Sequence, residues 1–242
     1  MTAGTGIGAV LFDKDGTLFD FHEVWLPAYR AAASEVATAV GEPELTEKLL
    51  AAGGFDSSSG RFAPRSCFVS GTAADICEIW KALLGSRSPP KMCAGLAKTL
   101  EAWSARRVAP VVDLERLFKS LVQRGLRLGV ATMDSQAALE ATLSRERWSR
   151  HLSFACGSDA GHGLKPEAGM VRVFANAVGR ATSEVAVIGD SLADLGMARA
   201  AGAGLAIGVA GGATQAALLA SQADVVLDSI AGLESYLFGT VC

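Results

Sequence analysis

Continuous apolar runs recur along the chain at 8–12, 127–131, 152–156, 185–188, 205–209 and 225–227. They do not alternate with polar residues, which is the mark of strands covered on both faces. Between most of them lie segments with helical spacing. "DLERLFKSLVQRG" (113–125) opens on acidic residues, repeats its apolar positions at helical intervals and closes on Gly125. "PEAGMVRVFANAVG" (166–179) opens on Pro and Glu and stops at Gly179. These are helix start and stop signals. Strand and helix in alternation predict an α/β fold, a doubly wound, Rossmann-like parallel sheet.

The alternation breaks once. Residues 21–108 contain no run that reads as a strand, but several that read as helices: "VWLPAYRAAASEVATAV", "GTAADICEIWKALLG" and "KMCAGLAKTLEAWSARR". Loops at 53–66 and 85–90 separate them. A smaller, all-helical domain inserted after the first strand is the expectation. It would span 21–107, with 1–20 and 108–242 forming the α/β core and hinges at 19–22 and 108–111. The tryptophans Trp25, Trp80 and Trp103 fall on these helical patterns and are expected in the insert's core.

Composition agrees with a packed protein of this size. Half of the 242 residues are hydrophobic, enough for a sizeable core. Lys plus Arg number 22 against 25 Asp plus Glu, and no basic run occurs, which argues against nucleic acid as a partner. The uncharged stretch 200–223 contains five glycines and several amides and hydroxyls, so it reads as strand, turn and short helix rather than a membrane span. The N-terminus has no charged segment followed by a long apolar one, and a cytoplasmic location is expected. Five cysteines (Cys67, Cys77, Cys93, Cys156 and Cys242) show no CxxC spacing. They are expected to be buried fillers rather than disulfide partners or zinc ligands.

The candidate chemistry lies where the strands end. In open α/β sheets ligands bind beyond the carboxyl ends of the strands. "VLFDKDGTLFD" places Asp13 and Asp15 directly after the first strand. Two like charges so close on one loop need a cation or a proton between them. "LGVATMDS" supplies Thr132 after the next core strand, "GLKPE" supplies Lys165, and "VIGDSLAD" supplies Asp190 and Asp194. Carboxylates, a hydroxyl and an ammonium would thus converge on one sheet edge, and oxygen ligands suit Mg²⁺.

"DKDGT", "ATMDS", "GLKPE" and "GDSLAD" stand in the order of four motifs of the haloacid dehalogenase-like hydrolases, which this chain resembles over nearly its whole length. Within that superfamily it looks most like a phosphoglycolate-phosphatase-type member with a helical cap. The resemblance implies a Mg²⁺-dependent phosphatase for a small phosphate monoester. Asp13 would be the nucleophile, forming an aspartyl-phosphate, and Asp15 the general acid and base. Metal ligands would be Asp13, Asp15 (by its carbonyl), Asp190 and Asp194, the last directly or through water. Thr132, Met133, Lys165 and Gly16 would hold the phosphate. Thr17 would hydrogen-bond across the turn.

Where the family often has Asn after the Thr, this chain has Met133. Asp134 would turn away to cap the following helix, and Lys14 is assigned no role beyond its backbone N–H. In the cap, Arg61 and Arg65 are candidate selectors for a second anionic group. The partner would be a small phosphorylated metabolite, neither nucleic acid nor a membrane, and the oligomeric state stays open between monomer and homodimer. A phosphomutase, or a non-catalytic phospholigand-binding protein on this scaffold, is the alternative.

Overall fold

The computed structural model describes residues 6–104, 109–212 and 214–239. Six parallel strands form the central sheet: β1 (Ala9–Phe12), β4 (Arg127–Ala131), β5 (Leu152–Cys156), β6 (Val185–Gly189), β7 (Leu205–Val209) and β8 (Val225–Leu227). Their spatial order is β5-β4-β1-β6-β7-β8. Every apolar run read as a strand is one, within a residue at each end. The chain builds outward from β1 to one side through β4 and β5, then to the other through β6, β7 and β8. The order therefore reverses at β1, so the crevice at its carboxyl end is where such sheets bind ligands.

Side chains alternate between the sheet's faces. Val10 and Phe12 of β1 join Leu128, Val130, Ile188 and Ile207 in a core covered by α6 (Leu114–Gln123) and α11 (Leu233–Phe238). Ala9 and Leu11 face the opposite layer, where α8 (Gly169–Ala177) and α9 (Leu192–Ala201) bring Met170, Phe174 and Leu195. Phe12 stacks on Phe118 of α6 at 5.0 Å. Asp113 caps α6 by accepting from Arg116 N–H, as the acidic start predicts. The helix read from Pro166 begins later, at Gly169. α7 (Gln136–Leu143) and α10 (Ala216–Leu219) complete the core layers.

Between β1 and β4 stand α1 (Phe21–Val40), α2 (Leu45–Gly53), α3 (Cys67–Ser70), α4 (Ala73–Leu84) and α5 (Met92–Ser104). α1 packs against α2 and α5, and α4 against α2 and α5. Trp80 is buried among them and its indole N–H donates to Leu49 O at 2.9 Å. This segment is not wholly helical. A two-stranded hairpin, β2 (Phe55–Asp56) with β3 (Arg61–Phe62), occupies the stretch read as a loop. Asp56 accepts from Ser58 N–H and from the hydroxyls of Ser58 and Ser59, which closes the turn, while Phe55 and Phe62 bury against each other at 5.0 Å. Two residues per strand are too few for alternation to register. The boundary expected at 107/108 lies outside the described residues, as does the start of the second hinge.

The cysteine expectation needs one correction. Cys77 of α4 and Cys93 of α5 form a disulfide across the helix pair, while Cys67 and Cys156 are free. Spacing along the chain carries no sign of it because the two helices that meet are joined by a loop. Cys242 is not among the described residues. No helix among the described residues is long and apolar enough to cross a membrane.

Candidate active site

Asp13 is the first residue beyond β1, and its N–H donates to Ile188 O of β6 at 2.8 Å, so the neighbouring strand fixes where the carboxylate emerges. Asp190 is the first residue beyond β6. Asp194 sits in the first turn of α9, where it completes a capping box with Ser191: it accepts from the Ser191 hydroxyl at 2.5 Å and from its N–H at 3.1 Å. Oxygens of Asp13, Asp190 and Asp194 lie within 4.8 Å of one another. Three converging carboxylate oxygens form a hard donor set of the kind Mg²⁺ takes. These residues fit that ion.

Lys165 ties this cluster together. Its Nζ lies 2.5 Å from Asp13 Oδ1 and 2.7 Å from Asp194 Oδ1, and it is 6% exposed. The loop after β5 delivers it, and the Lys165–Pro166 peptide is cis. Burial pushes Asp13 up to about 7; Lys165 pulls it down and Asp194 pushes it up again. Lys165 itself is raised, because its two carboxylates outweigh its own burial. Thr132, buried at the end of β4, donates its N–H to Cys156 O and accepts from Asp134 N–H at its hydroxyl oxygen. Its hydroxyl hydrogen therefore remains to be given to a ligand.

Gly16 has φ +90°, and a Cβ there would lie 2.3 Å from Asp190 Oδ2. Only glycine lets the β1 loop pass so close to the β6 carboxylate. A Cβ on Gly212 would likewise fall 2.2 Å from Asp190 Oδ2. Backbone from two loops thus cradles one carboxylate. The second contact lies in the stretch 200–223, whose sequence pattern shows strand, turn and short helix but not what the turn touches.

Lys14 departs most from expectation. It is 1% exposed, and its Nζ lies 2.7 Å from Asp15 Oδ2 and 3.0 Å from Asp134 Oδ2. The ammonium also sits over the rings of Phe19 and Trp25. Asp134 therefore does not cap α7; Ser135 does, accepting from Ala138 N–H. A buried cation between two acids offsets their desolvation, which explains an acidic residue beside Thr132. Asp15 is held above the usual carboxylate range, chiefly by burial, with Lys14 pulling it down and Asp134 pushing it up. Trp25 lines the cavity and its ring lies 5.9 Å under the Lys14 ammonium, so the first helix of the insert touches the site. Trp25 is thus both core and wall. Thr17 is buried, but its hydroxyl has no hydrogen-bond partner, contrary to the bridge expected of it.

A cavity of about 360 Å³ opens above these groups, between the sheet edge and the insert. Asp13, Asp15, Thr132, Met133, Lys165, Asp190 and Asp194 all line it. Arg61 and Arg65 do not. Both are exposed; Arg61 pairs in register with Asp56 on the hairpin, where Phe62 takes the inward-facing position.

Residues 7–202 match the family described as haloacid dehalogenase-like hydrolase. No curated protein matches the chain. Among solved structures, a predicted phosphoglycolate phosphatase from Haemophilus somnus superposes with a TM-score of 0.72 at 14% identity, covering 96% of this chain and 98% of that one. CbbY from Rhodobacter sphaeroides, in complex with phosphate, gives 0.63 at 23% identity over 94% and 96% of the two chains. A hydrolase of the same family from Deinococcus radiodurans, with bound phosphate and sodium, gives 0.67 at 20% identity over 97% and 96%. At these identities the likeness is one of fold.

Proposed function

Because the chain belongs to the haloacid dehalogenase-like hydrolases, we propose that it is a Mg²⁺-dependent phosphomonoesterase that works through an aspartyl-phosphate at Asp13. The observation that carries this reading is the meeting of Asp13, Asp190 and Asp194 oxygens within 4.8 Å at the carboxyl ends of β1 and β6, with Lys165 bonded into the group.

When bound, Mg²⁺ supplies charge neutralisation between the carboxylates and the phosphoryl oxygens. Asp13, Asp190 and the Asp15 carbonyl would hold it. Asp194, whose oxygens also meet Lys165 and Ser191, would complete the set directly or through water. Asp13 attacks phosphorus through its free carboxylate oxygen, forming the acyl phosphate as the ester P–O bond breaks. Asp15 gives its proton to the departing alkoxide and then takes one from the water that attacks phosphorus, which releases phosphate and restores Asp13. The upward direction of Asp15 suits the acid role. Lys165 and the Thr132 hydroxyl stabilise the equatorial oxygens, together with the Met133 backbone N–H; the Gly16 N–H is spent on Phe19 O at 2.7 Å, so Gly16 shapes the loop and does not hold phosphate as expected. The segment 21–107 would act as a cap, excluding water from the first step.

The test is release of phosphate from p-nitrophenyl phosphate by purified protein. Turnover with Mg²⁺, its loss in EDTA, and its loss in a folded Asp13→Asn variant are expected. Metal-independent release, or an active Asp13→Asn protein, contradicts the reading.

A further inference from the structure

Resting on that reading, we infer that the leaving group this site takes is an uncharged apolar alcohol, aryl or alkyl, rather than a second anion or a polyol. The insert's side of the cavity is built from Phe21, Trp25, Tyr29, Phe68, Ile76 and Leu100, each no more than 7% exposed. Tyr29 and Phe68 stack face to face at 3.9 Å and 5° between planes, a tightly packed aromatic pair on that side.

The hydroxyls on that side are already committed. Tyr29 O–H donates to Phe68 O at 2.8 Å, Ser70 to Ser66 O at 3.2 Å, and Thr72 to Asp75 at 2.7 Å within the capping box of α4. Against that apolar wall a sugar or glycerol moiety would bury hydroxyls without partners, because the lining carboxylates Glu101 and Asp159 stand at the exposed rim and Asp134 is held by Lys14. Charge excludes an anion just as firmly. Among the described residues no Lys or Arg of the insert lines the cavity, and its acidic member is Glu101. Asp134 and Asp159 lie on the core side of the rim. Lys165 is already shared by two carboxylates, and Lys14 by two others. A carboxylate such as that of phosphoglycolate would meet acids and aromatic faces. At 360 Å³ the cavity falls within the ordinary range of small-ligand pockets, about 300–1,000 Å³.

The experiment compares benzyl phosphate, phosphoglycolate and glycerol phosphate, all esters of aliphatic alcohols. Preference then reports the pocket more than leaving-group reactivity. With Mg²⁺, kcat/KM for benzyl phosphate is expected to exceed that for phosphoglycolate by on the order of a hundredfold. Ala74 is an exposed residue at the cavity's edge. Ala74→Arg is expected to narrow that ratio at least about tenfold by giving the carboxylate a partner. Equal or better use of phosphoglycolate by the wild-type protein overturns the inference. Calorimetric binding of the same three esters to Mg²⁺-loaded Asp13→Asn protein separates the two claims. Tighter binding of benzyl phosphate with no turnover by wild type leaves the pocket assignment standing and sinks the hydrolase reading; tighter phosphoglycolate binding sinks the pocket assignment.

Discussion

Asp13 carries a pH dependence that can be worked out in advance. Burial raises its pKa from 3.8 to about 7 in the metal-free fold, despite Lys165. A carboxyl whose folded pKa lies above its unfolded one binds its proton more tightly when folded. Its contribution to stability is complete below the unfolded pKa and is lost as pH rises toward the folded one. Here that window runs from about pH 4 to about pH 7. At about 1.4 kcal/mol per pKa unit, the full loss is about 4 kcal/mol, more than half of which falls between about pH 5 and about pH 8. Asp13→Asn replaces the carboxyl with a neutral group of the same shape and removes this term. Urea unfolding of both proteins in EDTA, repeated from about pH 5 to about pH 8, is the assay. The variant is expected to gain on the wild type by about 2–3 kcal/mol across that range. Saturating Mg²⁺ should abolish the trend by taking the proton's place. A stability difference that stays flat with pH in EDTA would refute the assignment of a desolvated, protonatable Asp13.

Other perturbations follow from the same contacts. Lys165→Met leaves Asp13 and Asp194 buried without their cation, so metal-free protein should lose about 3–5 kcal/mol on chemical unfolding and Mg²⁺ should restore part of it. Its kcat should fall by about a hundredfold or more even where it folds. Gly16→Ala forces a Cβ into Asp190 at φ +90°, so Mg²⁺ stabilisation measured by thermal shift should weaken sharply while the protein stays folded. Reducing the Cys77–Cys93 bond reopens a short loop between α4 and α5; a loss of about 3 kcal/mol is expected, or a Tm lower by roughly 6–12 °C. Cys93→Ser should show the same deficit and no further response to reductant.

The sheet was legible because both its faces are covered. Burial on two sides forces continuous apolar runs, and those of β1, β4 and β6 each end on a polar residue that lines the crevice. Asp13, Thr132, Lys165, Asp190 and Asp194 could therefore be placed before any coordinates. What stayed hidden depends on contacts between segments far apart in the chain. The partnership of Lys14 with Asp134 links two loops that only the pairing of β1 with β4 brings together. Gly212 and Asp190 meet in the same way across β6 and β7. The hairpin at 55–62 was too short to show alternation, and its fold turned Arg61 outward. Of the apolar wall only Trp25 figures among the sequence expectations, as core, since an aromatic at helical spacing looks the same whether it packs on a neighbour or borders a cavity. Trp25 does both.

The most direct test of the central claim is chemical trapping of the covalent intermediate. Protein mixed with Mg²⁺ and p-nitrophenyl phosphate is quenched within the first turnover and treated with borohydride, which reduces an acyl phosphate to an alcohol. Peptide mass spectrometry should then find homoserine at position 13 and unchanged Asp at 15, 190 and 194. Steady phosphate release with Asp13 never converted, or conversion at another of these positions, would contradict it.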